Sequence, residues 1–325
     1  MTSTTRQSRV QGGSGTGQRR AAAAAERVAA AQRAEQRRRR LRWGAAAASL
    51  LLLLAGVVMF LVAGGADTRA EDTAAPQPTV SVGRDLHTVT TIGDALYVGG
   101  HDAVAVSRDG GSGWQQIRSL DDADAMGWAV RNDEVLVGGH PGLYRSTDSG
   151  ATFTRVTGAA AVPDVHALGG TDTTVYLASP QAGLLTSADG GQTWQTRNAG
   201  AGRSFMGTIL VDPKNPDRIV APDMSGGLTA STDGGRTFTP LGGPTGAMAA
   251  AWNPTNVEQL VAVGMNGAAR SEDGGTTWQD IAAPAGTSAV TYAADGRTVY
   301  AAALDGEQAR TYRSTDAGAT WRPTN

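Results

Sequence analysis

The sequence predicts an all-β chain, a six-bladed β-propeller, standing behind a basic helical tail and one transmembrane helix. Three observations predict it. One eight-residue phrase recurs six times from Ser107, at steps of 39, 41, 44, 40 and 43 residues, and a period near 40 is that of a propeller blade. Each period divides into four short runs of β-forming residues separated by turn residues. An uncharged run from Trp43 to Ala66 lies ahead of the repeats and directly behind a cluster of Arg.

The N-terminal elements follow from charge and hydropathy. Residues 1–43 carry eleven Arg against two Glu, leaving 17 basic against 28 acidic residues in the remainder. The larger part is mildly acidic and no candidate for nucleic acid. Residues 19–42, rich in Ala and Arg and free of Pro and Gly, predict a helix. It either lies on anionic lipid headgroups or only sets topology. The apolar core from Ala45 to Ala63 is long enough to cross a bilayer. Arg37 to Arg40 and Arg42 precede it, and Asp67, Glu71 and Asp72 follow. The positive-inside rule puts residues 1–43 in the cytoplasm and everything after the 44–64 span outside the cell membrane. A cleaved signal peptide is the rival; the long basic region and long apolar run favour an uncleaved signal-anchor. Residues 65–82, small, polar and Pro-containing, read as a spacer. The propeller then occupies 83–325. A seventh blade requires residues 73–83 to be more than a spacer.

The chain has no Cys, which excludes disulfides, thiolate metal sites, Cys nucleophiles and a lipidated Cys anchor. Gly residues number 44, as suits a fold with many tight turns.

The phrase reads SRDGGSGW, STDSGATF, SADGGQTW, STDGGRTF, SEDGGTTW and STDAGATW, a pattern S-x-D-x-G-x-[TG]-[WF]. Asp109, Asp148, Asp189, Asp233, Asp273 and Asp316 are each placed to accept backbone N–H bonds across a tight turn. The Gly two places on, such as Gly150, supplies positive φ. The terminal Trp or Phe opens the next strand and buries a ring between blades. In the first blade the four strands are expected at His87–Ile92, Ala95–Gly100, Ala103–Ser107 and Trp114–Ile117.

This phrase resembles the Asp-box, or BNR repeat, over roughly residues 83–325. Within that group the chain is similar to small bacterial membrane-anchored Asp-box propellers labelled glycosyl hydrolases; sialidases, sortilin-type receptors and photosystem II assembly factors carry similar repeats. The resemblance implies a structural role for the six Asp, in the hairpin between the third and fourth strands of each blade. The chain departs from the sialidase pattern. No FRIP-like stretch precedes the first repeat, and Arg84, Arg131 and Arg203 form no evident triad, so sialidase activity is not expected.

Aligned on the phrase, the start of each first strand holds His87, Met126, His166, Met206, Met248 and Ser288. The end of each second strand holds His101, His140, Gln181, Ser225, Met265 and Gln308, with Met224 one place off. Antiparallel neighbours bring these registers side by side, at the mouth of the channel away from the phrase. The expected metal ligands are therefore His87, His101, His140, His166, Met126, Met206, Met224, Met248 and Met265. Imidazole with thioether suits soft or borderline metals, copper above all. The alternative is that Met fills gaps near a narrowing axis and His satisfies buried polar groups.

Asp85, Asp124 and Asp164 precede the first register by two residues. They are placed to act as partners to His, as hydrolase carboxylates together with Glu307, or as turn caps. Whether the chain is an enzyme stays open at this level. The sequence supports a ligand-binding module, with a glycosyl hydrolase-like enzyme and a protein-interaction or assembly-factor propeller as alternatives.

Overall fold

The computed structural model describes residues 79–158 and 161–324. The expected basic tail (1–43), transmembrane helix (44–64) and most of the spacer lie outside the described residues. Among the described residues no helix is long and apolar enough to cross a membrane; a short 3-10 segment spans Arg118–Leu120.

The described strands form six antiparallel sheets, one per repeat. The first blade comprises Leu86–Ile92, Ala95–Gly100, Val104–Ser107 and Gln115–Gln116, within two residues of the expected bounds. The second runs from Gly127–Arg131 through Glu134–Gly138 and Leu143–Ser146 to Thr154–Arg155. The third comprises Ala167–Gly170, Val175–Ser179, Gly183–Ser187 and Gln195–Asn198. Its first strand also pairs in parallel with Gly207–Thr208, the lead-in to the fourth blade. Fourth, fifth and sixth blades open with Leu210–Asp212, Ala247–Asn253 and Thr287–Tyr292.

Packing follows from the period-2 alternation of side chains. In Ala95–Gly100, Leu96 and Val98 join a buried cluster with Ala289 and Ala302 of the sixth blade. Tyr97, between them, joins Trp128, Val135 and Val137 of the second. Every neighbouring pair of blades encloses such a cluster, including the sixth against the first. The ring is thus closed by apolar burial, each fully buried Leu or Val contributing about 1.5–3 kcal/mol. Ser288 Oγ donates to the Leu86 carbonyl at 2.9 Å across the closure.

Three residues of the expected spacer are structural. Val80–Ser81 pairs with Gln308–Ser314 of the sixth blade, Val80 opposite Ala309, and Val80 and Val82 are buried against the first and sixth blades. The extra strand extends an existing sheet, so no seventh blade arises among the described residues.

The repeated phrase makes one hairpin six times. In the second blade Ser146 Oγ donates to Asp148 Oδ1 at 2.7 Å and accepts from Gly150 N at 2.9 Å. Thr152 donates its N–H to Asp148 Oδ1 and its hydroxyl to Oδ2, at 2.9 and 2.6 Å. The same Ser–Asp–Gly bonds recur at Asp109, Asp189, Asp233, Asp273 and Asp316. These donors hold the carboxylates ionised. Ser146 and then Thr152 pull Asp148 down to about 2, and Thr320 and then Ser314 do the same for Asp316. The rings that end the phrases pack between blades, as with Phe153 against Tyr97 and Trp128 and Trp278 against Leu241. All six hairpins lie on one face. A cavity of about 650 Å³ is bordered by Thr90, Trp128, Thr171, Trp252 and Tyr292, at the ends of the first strands.

Candidate functional site

The opposite mouth is built by bulges. In the first blade Leu86 pairs with Gly100 and Thr88 with Gly99, so His87 is an extra residue in the ladder. Met248 and Ser288 are extra residues in the same way in the fifth and sixth blades. A bulge re-aims a side chain, and here it marks the register that carries His87. Small residues let the backbone close in behind. A Cβ on Gly139 would lie 2.1 Å from the Asp124 carbonyl oxygen, so only Gly permits the second blade to pass so near the loop holding Asp124.

Four imidazoles and two carboxylates converge across the first three blades. Asp124 Oδ1 lies 2.7 Å from His101 Nδ1 and 3.7 Å from His87 Nε2. Asp164 Oδ1 lies 2.8 Å from His140 Nε2 and 3.0 Å from His166 Nε2. The donor atoms of His87, His101 and Asp124 all lie within 4.8 Å of one another, and so do those of His140, Asp164 and His166. The Asp124 side chain is only 3% exposed, whereas those of His101 and His140 are nearly half exposed, so each group is rooted in the protein and open to solvent.

The angles matter as much as the distances. Asp124 Oδ1, Asp164 Oδ1 and His87 Nε2 are buried, and no hydrogen bond of proper geometry reaches them. By contrast His140 Nδ1 is well aligned with Asp124 Oδ2 at 2.8 Å. A carboxylate oxygen only accepts, so Nδ1 carries the proton of this bond, and the opposite ring nitrogen, Nε2, faces Asp164 Oδ1. Gln181 Nε2 donates to Asp164 Oδ2 at 2.7 Å, and Ser179 Oγ donates to Gln181 Oε1 at 3.0 Å. Burial, ahead of the opposing pull of Asp124, lowers the pKa of His87, and burial, ahead of Asp164, lowers that of His166. Both imidazoles therefore favour the neutral form that a metal ligand needs.

Nitrogen and carboxylate oxygen suit borderline divalent ions such as Cu²⁺ and Zn²⁺. These residues could hold such an ion: two imidazole nitrogens face a buried carboxylate oxygen that no aligned hydrogen-bond donor reaches.

Met248 and Met265 border a separate hollow between the fifth and sixth blades, with Val263, Ile281, Pro284 and Ser288. Met265 is 70% and Met224 42% exposed. Met206 is half-buried and Met126 buried. The partners beside the histidines are oxygens. Asp85 and Glu307 accept backbone N–H bonds from His101 and Val82, and the Asp85 carboxylate also acts on His87 through its charge. Gln181 shares the register of His101 and His140, and its support of Asp164 depends on a contact between loops that spacing does not reveal.

A glycosidase requires two carboxyls facing each other across a sugar-sized cleft. Asp124 is buried, and His140 lies between Asp124 and Asp164, in contact with both. Arg131 and Arg203 are taken up by backbone carbonyls, Arg131 with Glu134 besides.

No protein-family model matches the chain, and no curated protein matches its sequence. Solved structures do resemble it. A glycoside hydrolase family 74 xyloglucanase from Xanthomonas campestris is 18% identical, with a TM-score of 0.51, over 76% of this chain and 47% of that one. A family 74 enzyme from Niastella koreensis is 14% identical, with a TM-score of 0.52, over 75% and 55%. A chain of a nidogen/laminin complex is 12% identical, with a TM-score of 0.57, over 70% and 90%. The likeness is one of fold. This chain spans about half the length of the two hydrolases, and at these identities a shared propeller carries no shared chemistry.

Proposed function

We propose that this protein is a membrane-anchored metal-binding propeller, displayed outside the cell, whose channel mouth holds a borderline divalent ion through His and Asp. The observation that carries the reading is the pair of buried oxygens, Asp124 Oδ1 and Asp164 Oδ1, each short of a hydrogen-bond donor and each facing two imidazole nitrogens. Copper fits best as Cu²⁺. It heads the affinity order for nitrogen and oxygen donors, whereas Cu⁺ prefers thioethers. The repeat phrase and the anchor-like run 44–64 support placing the chain among membrane-bound Asp-box proteins.

The test is titration calorimetry of the full-length chain in detergent with Cu²⁺ and with Zn²⁺. Binding tighter than micromolar, lost in a His87→Ala/His166→Ala double variant that melts like the parent, is the expected result. Absence of such binding, or binding indifferent to that double variant, contradicts the reading.

A further inference from the structure

Resting on that reading, we infer that the mouth holds two ions rather than one and that Asp124 couples them. The first site is His87, His101 and Asp124 Oδ1; the second is His140, Asp164 Oδ1 and His166. Asp124 belongs to both in different ways. Its Oδ1 faces the first ion position, and its Oδ2 accepts from His140 Nδ1 at 2.8 Å. That bond fixes the ring so that Nε2, the opposite nitrogen, faces Asp164 Oδ1 at 2.8 Å. A carboxylate behind a metal-bound imidazole sets its tautomer, its aim and its basicity. Asp124 is thus a ligand of the first site and a positioning residue of the second.

The second observation is independent of the clustering. Asp124 is more than nine-tenths buried, and its Oδ1 is aimed into the first site without a hydrogen-bond donor. Were the carboxylate only a structural acceptor for imidazole N–H groups, both oxygens would have aligned donors; only Oδ2 does. Asp164 repeats the division of labour. Gln181 fixes its Oδ2 at 2.7 Å, which leaves Oδ1 to the second site.

Coupling follows from the shared group. An ion on Oδ1 draws electron density from the carboxylate, weakens Oδ2 as an acceptor, and so changes how strongly His140 donates to its own ion. Each site also has three protein ligands and a half-exposed imidazole, an arrangement that leaves a coordination position to water.

The experiment is calorimetry of the full-length chain with Zn²⁺ alone, which avoids redox change. Two ions per chain are expected for the parent. His166→Ala is expected to leave one. Asp124→Asn keeps the volume but cannot supply both a ligand oxygen and an acceptor for His140. It is expected to abolish the first site and weaken the second about 10- to 100-fold, the usual cost of losing an orienting partner. Gln181→Ala removes an exposed side chain and serves if Asp124→Asn fails to fold; it is expected to weaken the second site alone about tenfold.

One ion per chain overturns this inference and leaves the metal-binding reading intact. So does an Asp124→Asn variant whose remaining site keeps its parental affinity; a Gln181→Ala variant that binds both ions as the parent does overturns the assignment of Asp164 Oδ1 to the second site. No binding in any variant overturns both.

Discussion

Thr88 ties the first blade to the second directly beneath the candidate site, and Thr88→Val is the substitution that weighs this tie. The Thr88 hydroxyl donates to the Ala125 carbonyl at 2.8 Å and accepts the Trp128 indole N–H at 2.9 Å. Thr88 and Trp128 are 4% and 2% exposed, so water cannot replace either bond. Valine matches the shape and leaves a buried N–H and a buried carbonyl oxygen without the partner they had. Each such loss costs about 1–3 kcal/mol, for a total of about 2–6 kcal/mol. Thr88 adjoins His87 and Ala125 adjoins Asp124, so the same change is expected to loosen the first ion site. The assay is urea unfolding of the full-length chain, together with Trp128→Phe and the double variant. In the Trp128→Phe background Thr88→Val is expected to cost at least about 1 kcal/mol less, because the indole donor is already gone. A loss below about 1 kcal/mol for Thr88→Val alone, or strict additivity, refutes the reasoning.

Three further expectations follow from the same structure. The phrase Asp residues have lowered folded pKa values, about 2 for Asp148 and Asp316, against about 3.9 in an unfolded chain. Their contribution to stability is therefore complete above about pH 4 and disappears as pH falls toward about 2; the melting temperature should fall across that window, and less steeply in an Asp148→Asn/Asp316→Asn variant. Gly139→Ala drives a Cβ into the Asp124 backbone, 2.1 Å from its oxygen. It should destabilise the fold by about 1–3 kcal/mol and weaken ion binding, and an unchanged melt and isotherm would count against it. Deletion through Val82 removes the added strand of the sixth blade and two buried valines. At about 1.5–3 kcal/mol each, their loss should lower the urea midpoint clearly below that of a deletion ending at residue 78.

The fold was legible because the phrase is local. Ser, Asp, Gly and Thr within seven residues make the whole hairpin, so each copy announces its turn without tertiary information. The closing strand was not legible. Val80–Ser81 is two residues of a polar, Pro-containing stretch, and what makes it a strand is an edge offered by residue 309, far along the chain. The histidine mouth was legible as a register, since strand starts and strand ends align on the phrase. The chemistry of the mouth was only half legible. His87 sits near Asp124 of the next blade, and His140 near Asp164 of the blade after that. Contacts between blades have no signature in sequence spacing, so the acids two residues ahead of each strand read equally well as turn caps. Methionine shared the register with histidine, but Met248 and Met265 sit on the far blades, beside a hollow of their own.

The most direct test of the metal-binding reading is X-ray absorption at the copper edge on the full-length chain loaded with Cu²⁺ and desalted. A first shell of nitrogen and oxygen, with the outer scattering of imidazole rings and no sulfur, is the predicted result. Sulfur in the first shell, or no copper retained through desalting, would contradict it.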